Sequence, residues 1–410
     1  MLTGPTTVGP VTEPARFLLY FVALSLIAGV GVGVAKVTTT LYAIELQSSN
    51  AQIGLISAAQ MIGMLFMSIP VGLVLDSWGP LKLFITGTAS AALIYCLIPA
   101  VPSPLFLLLG TALISFCMPS RFISLNAVFM QQLRQIGDAK AGWFRGSHMI
   151  GMFLIGPAIA SAMVAALDFV WVYQLIGVSF AVTLLFAPKV LRAYQPRAIS
   201  SAPVWSKVKQ QFGLLRVHRG LQQGCLIEVL VNSSMMFFTA FIVVIAIRKF
   251  DLSASSAAGL ITAQGSTFVF ALMALGGLAS RWGRIKVYRV AFGFCIASLA
   301  MLAVTPWAGL LWLGALSLGL SLGVLQAANM SRIAQIGEEL GQGQVAGLMA
   351  LVGPLGGFSG TVLGGLLGHW FDLQRVFLLF MTLFVVAGWY VCIRAARRIC
   401  TNTILQGVSQ

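Results

Sequence analysis

The stretch Ser115–Met130, SFCMPSRFISLNAVFM, sets one guanidinium, Arg121, in a long apolar run. A guanidinium stays charged inside a protein, and an ion near the centre of a bilayer is costly to hold. Five more strongly polar side chains lie in comparable runs: Lys36, Glu228, Asn232, Gln326 and Asn329. Glu228 and Asn232 are four residues apart and Gln326 and Asn329 three, so on helices each pair shares a face. This is the chemistry of solute binding. Arg121 can grip a carboxylate or phosphate bidentately. Lys36 adds a second positive charge, and Glu228 is the one span-embedded acid set against them. Such a site is net positive and suits a small organic anion or a siderophore-like, metal-chelating carboxylate better than a lipophilic cation. Glu228 and His148 (in RGSHMIG) are the candidate carriers of a coupling proton.

Plainer readings stand beside these. Arg121 can pair with Glu228 or cap backbone carbonyls. Lys36 can snorkel to the interface. Glu228 lies about 9 Å from the start of its run by helix rise, where an interfacial charge is ordinary. His148 reads as a core or interfacial histidine. Met235, Met236, Phe237 and Phe238 read as packing.

The elements that must carry these groups follow from composition. Of 410 residues, 59% are hydrophobic and 9% charged, against about 25% charged in soluble proteins. This chain cannot cover a soluble surface and reads as an all-α integral membrane protein. The net charge of +15 does not mark a nucleic-acid binder, because the basic residues sit between the apolar runs instead of on a polar patch. The six cysteines show no CxxC or Cys/His spacing, so neither a disulfide framework, a metal site nor a cofactor is expected.

About twenty apolar residues cross a bilayer. Twelve runs qualify: 17–41, 51–75, 81–101, 104–129, 142–166, 169–189, 221–247, 255–280, 286–306, 309–332, 343–367 and 374–396. With both termini cytoplasmic, about twenty of the 25 Lys and Arg fall on the inside and three outside: Arg248, Lys249 and Arg375. The expected organisation is a flexible cytoplasmic N-terminus (1–16), a six-helix bundle (17–189), a basic cytoplasmic linker (190–220), a second six-helix bundle (221–396) and a cytoplasmic tail (397–410), in the inner or plasma membrane. The N-terminal stretch lacks the basic region and cleavage site of a signal peptide, so the first span is expected to be retained.

The halves echo each other about 204 residues apart. GLVLDSWGPLK (72–82) aligns with GGLASRWGRIK (276–286), matching Gly72, Trp78, Gly79 and Lys82 to Gly276, Trp282, Gly283 and Lys286. LISAAQMIG (55–63) echoes LITAQGS (260–266). Duplicated six-span units with a midplane site at their interface are a transporter architecture.

On these residues the chain resembles the major facilitator superfamily over nearly its whole length. Gly72, Asp76 and Gly79 match the family's first loop pattern, with Ser77, Pro80 and Leu81 in place of its basic positions. Arg281, Gly283 and Arg284 match in the second, where Ser280 replaces the acid. The resemblance implies a monomer of two six-helix bundles that rock about a central cavity lined by helices one, four, seven and ten. It also implies that these loop residues latch the cytoplasmic side. An antiporter pattern in the fifth span is partial: Gly151, Gly156 and Pro157 are present without the paired glycines. The expected activity is secondary transport of a small solute by alternating access. Efflux of drugs or apolar metabolites by proton antiport is the first alternative, and a non-transporting solute sensor the second. No nucleophile pair, phosphate-cradling loop or His/Asp/Glu cluster suggests an enzyme.

Overall fold

The computed structural model describes residues 14–136, 143–194, 213, 215–340 and 342–391. The termini and most of the expected linker lie outside these residues, as does the side chain of Asp76. Among the described residues twelve helices are long and apolar enough to cross a membrane. They begin with Pro14–Glu45, Asn50–Trp78, Pro80–Leu97 and Pro104–Ile136. The fifth span covers Gly146–Ala166, and the sixth is Phe169–Leu191. Then come Arg219–Phe250, Ala254–Ala274, Arg284–Val304, Ala308–Leu340 and Gln342–Trp370, and the last span is Leu373–Val391.

Local sequence explains the joints. Ser49 caps the second span and Gln52 reaches back to it, a reciprocal capping box. Ser253 caps the eighth span and His218 the seventh. Gly79 (φ 76°) and Gly283 (φ 82°) turn the chain into the third and ninth spans with positive φ, where a Cβ would be strained. These two glycines are partners in the repeat, so the duplication is a duplicated backbone requirement. The eighth run breaks after Ala274 and resumes as the short helix Leu278–Trp282.

The fifth span carries a π-helical turn, Gly151–Ile155, where Gly156 N–H bonds to Gly151 O. Pro157 follows at once. It has no N–H to give to the preceding turn, so the chain widens by one residue there. The segment packs on the first span so closely that a Cβ on Gly33 would sit 2.4 Å from Met152 O.

Each half packs mainly on itself. The fourth span lies on the first, second, third and sixth, and the tenth on the seventh, eighth, ninth and eleventh. Two seams join the halves: the second span runs along the eleventh, and the fifth along the eighth. On the first seam, a Cβ on Gly54 would lie 2.6 Å from Gly365 Cα, so backbones meet there without side chains. On the second, Phe153 of the π turn abuts Gly265. The seventh span is buried nearly all round. Leu93, Leu185, Phe294 and Val386 stand out from the outer spans. Exposed Trp171, Trp307 and Trp370 mark one end of the molecule, and exposed Trp78 and Trp282 the other, as interfacial tryptophans do.

Candidate functional site

Glu228 sits in the seventh span one turn before Asn232 and two before Met236. All three are only partly buried, which gives the span a stripe that is not fully enclosed. The tenth span faces this stripe. Gln326 Nε2 donates to both Glu228 carboxylate oxygens, at 3.2 and 3.0 Å. Asn329 Nδ2 donates to Gly224 O at 3.0 Å and reaches Glu228 Oε2 at 3.4 Å. Asn232 Nδ2 donates to Glu228 Oε1 at 3.1 Å and to its backbone carbonyl at 2.8 Å. Four residues expected from spacing therefore form one cluster, closed on the eleventh-span side by Gly353. Among the described residues the carboxylate has no cationic partner. Gln326 Oε1 and Asn329 Oδ1 are buried with no donor.

Lys36 approaches from the other half. Its Nζ lies 3.5 Å from Met236 Sδ, one turn beyond Asn232, and has no carboxylate partner among the described residues. Gly357 of the eleventh span lies against both Met236 and Met61. The stripe is thus polar at Glu228 and Asn232 and lined with thioether sulfur next to the ammonium.

Arg121 is held inside the first half. It is 4% exposed, with its guanidinium carbon 4.1 Å from the centre of the Phe180 ring and 5.6 Å from that of Phe84. Rings on the sixth and third spans cradle the cation through their negative faces. Its Nε and Nη2 are buried without an acceptor. It does not pair with Glu228, whose oxygens are taken by amides. Ser124 is buried with its hydroxyl unpartnered, and Asn126 is exposed. His148 lies in the first turn of the fifth span, against Gly29 of the first. It does not join the Glu228 cluster.

Among the loop residues, Gly79 and Gly283 make their turns, and no neighbour crowds Gly72. Arg281 is exposed. Arg284 donates to Gln335 of the tenth span, inside its own half. The ties that do cross between halves lie at the opposite end. Arg248 Nη1 donates to Asn50 Oδ1 at 3.1 Å and its Nη2 to Ser48 O at 2.8 Å. Asn50 Nδ2 donates to Gly368 O at 2.8 Å. The adjoining Lys249 pairs with Asp372. This knot was not expected from motif reasoning. Its signal was present all the same: Arg248 and Lys249 are basic residues on the wrong side of the charge rule, and such exceptions mark structural pairing.

No curated protein matches the chain. Among solved structures it is similar to the nucleoside transporter NupG, at 16% identity and TM-score 0.74, covering 92% of this chain and 98% of that one. It is similar to a bacterial homologue of the human lysosomal transporter Spinster, in an inward-facing and unoccupied conformation, at 12% identity and TM-score 0.73, covering 94% and 98%. It is also similar to the human organic anion transporter MFSD10 (TETRAN), at 16% identity and TM-score 0.69, covering 92% and 99%. These likenesses establish the fold. The Major Facilitator Superfamily model matches residues 17–247 and 225–399. With twelve spans, two repeated halves and a family model that matches across both, the chain belongs to the major facilitator superfamily and is a multi-pass membrane transporter of a small-molecule solute.

Proposed function

We propose that the protein is a secondary transporter of a small organic anion, including metal-chelating carboxylates, in the cytoplasmic membrane. The observation that carries this reading is the charge balance of the centre. Lys36 and Arg121 have no carboxylate partner among the described residues, whereas Glu228 is already engaged by three carboxamides. Two uncompensated cations against one solvated-in-place carboxylate leave a positive field, and a buried charge is best balanced by an opposite charge. Lys36, on the open stripe, is the group that meets the solute first. Arg121 contributes from behind the aromatic cradle.

The end bearing Ser48, Arg248 and Gly368 is tied shut, and the charge rule makes it the outer face. On this reading both termini are cytoplasmic. Gly79, Gly283, Arg281 and Arg284, together with Asp76, belong to the cytoplasmic end, where a latch forms in the opposite state. The thioether of Met236 beside Lys36, with Met61 across Gly357, favours a second reading, in which an apolar metabolite with one anionic group is exported.

The test is thermal stabilisation of the purified protein with a panel of organic anions, metal chelates, neutral sugars and lipophilic cations, followed by flux in vesicles. A ligand that binds only the folded state raises the melting temperature. An anion that stabilises wild type and is lost in Lys36→Met and Arg121→Met confirms the reading. Stabilisation by cations or neutral compounds, equal in all three proteins, refutes it.

A further inference from the structure

The Glu228 cluster has a feature that solute binding does not explain. A carboxylate within a membrane span needs a counter-charge, and among the described residues no cation lies within ion-pair distance of this one. The charged residue one turn further along the tenth span, Arg332, turns instead to Gln223 Oε1 at 2.6 Å. Beside the carboxylate, two carbonyl oxygens, Gln326 Oε1 and Asn329 Oδ1, are buried without donors on residues 6% and 0% exposed. Each belongs to an amide whose nitrogen faces Glu228. A half-turn about the last side-chain bond exchanges oxygen for nitrogen in a carboxamide. The same backbone can therefore present either two N–H groups or two oxygens to the carboxylate.

We infer that Glu228, Gln326, Asn329 and Asn232 form a binding site for a sodium ion within the second half, separate from the cations that meet the solute. With the amides turned, the cluster offers both Glu228 oxygens and one amide oxygen from each of Gln326, Asn329 and Asn232. Gly224 O lies within the same group. Six oxygens are the donor set of a hard cation. The Gln326 amide position lies 3.2 and 3.0 Å from the two carboxylate oxygens. Oxygens at such separations can share one ion at about 2.3–2.6 Å from each, the range for Ca²⁺, which Na⁺ matches in size. A single carboxylate balances one positive charge, so the site suits a monovalent ion and leaves a divalent ion undercompensated. A proton serves the cluster less well. Protonated Glu228 donates one hydrogen bond and meets one turned amide oxygen, whereas a central ion meets all three.

In the transport cycle this gives the two halves different tasks. Sodium in the second half removes the negative charge of Glu228 and strengthens the positive field that draws the anion to Lys36. The coupling is symport of an anion with Na⁺. The inference rests on the transporter reading, and its test is kept apart from the solute.

The experiment is thermal unfolding of the full chain in detergent with no solute added. NaCl is exchanged for choline chloride or KCl at constant ionic strength, for wild type, Glu228→Gln and Gln326→Leu. The expected result is a melting temperature that rises saturably with Na⁺ in wild type, is at least tenfold less sensitive to Na⁺ in Gln326→Leu, and loses its dependence in Glu228→Gln. An equal response to Na⁺ and choline in wild type overturns the site, whatever the variants do. Stabilisation on acidification with no Na⁺ effect overturns it in favour of a proton. A Na⁺ response intact in Glu228→Gln also overturns it. Because the anion panel is read through Lys36→Met, loss of the anion reading leaves a Na⁺ response visible, and the reverse.

Discussion

The two halves share a fold and a repeated loop yet treat their central charges in opposite ways. In the second half Glu228 is held by Asn232, Gln326 and Asn329, donors one turn apart on two facing helices. In the first half Arg121 has aromatic rings for neighbours and, among the described residues, two N–H groups without acceptors and no carboxylate. Under the repeat of about 204 residues Arg121 falls opposite Leu325 or Gln326, so a cation in one half takes the place of a neutral amide in the other. Satisfied polar networks stabilise and specify a single arrangement, and unsatisfied ones leave a group ready for a partner that arrives later. The carboxylate of the second half has amide donors around it, and the guanidinium of the first has aromatic faces.

The comparison can be broken most decisively at Arg121. Arg121→Met should abolish anion flux while leaving folding stability within about 1 kcal/mol of wild type or above it. Replacing a poorly compensated buried ion with an apolar side chain is often neutral or stabilising. Denaturation and flux measured together decide this. A variant that unfolds would show that the cation holds its bundle together.

Glu228→Ala should do the reverse for stability and lower it by about 1–3 kcal/mol, because it leaves amide donors buried without an acceptor. A loss no larger than that of Arg121→Met would erase the distinction between the halves. Arg248→Ala acts on both halves at once. Losing two charge-assisted hydrogen bonds at the closed end should shift the population of the opposite state about tenfold, or roughly 1.4 kcal/mol. Thiol labelling of a cysteine placed at Gly357 from the outer side measures it. No change in labelling would place the closure in the Gly54–Gly365 contact instead.

The smallest effect belongs to the Lys249–Asp372 pair, which pins the end of the second half. Burial pushes the Asp372 carboxyl up, but hydrogen bonds from Lys249 and from Gln374 N–H, with the nearby positive charges, hold it below the usual carboxylate range. Its contribution is fully present above the unfolded value of about 3.9 and is lost as pH falls through the lower folded value. The pair is exposed, so the contribution is about 0–1 kcal/mol. Asp372→Asn should lower stability by that amount at neutral pH and flatten the acid limb below about pH 4. An unchanged acid limb would remove the pair from the account.

Much of this was legible from composition and spacing. The apolar runs, the breaks at Gly79 and Gly283 and the echo between halves specify twelve spans, because length, hydropathy and a positive-φ turn are local properties. Glu228 with Asn232 and Gln326 with Asn329 could be placed on faces by helical period, and those faces do meet. The direction of Arg121 could not be read that way. Helical period places a residue around its own axis but does not say which neighbours occupy each side, and only the packed third and sixth spans show that Phe84 and Phe180 receive it. The Arg248 knot with Asn50 and Ser48 joins residues about 200 positions apart, a separation that no local pattern encodes. Composition, spacing and the internal repeat are enough to read a duplicated helical membrane transporter with a few costly charges in its spans. Tertiary structure alone decided which of those charges are satisfied and which end is shut, because both depend on the approach of helices far apart in the chain.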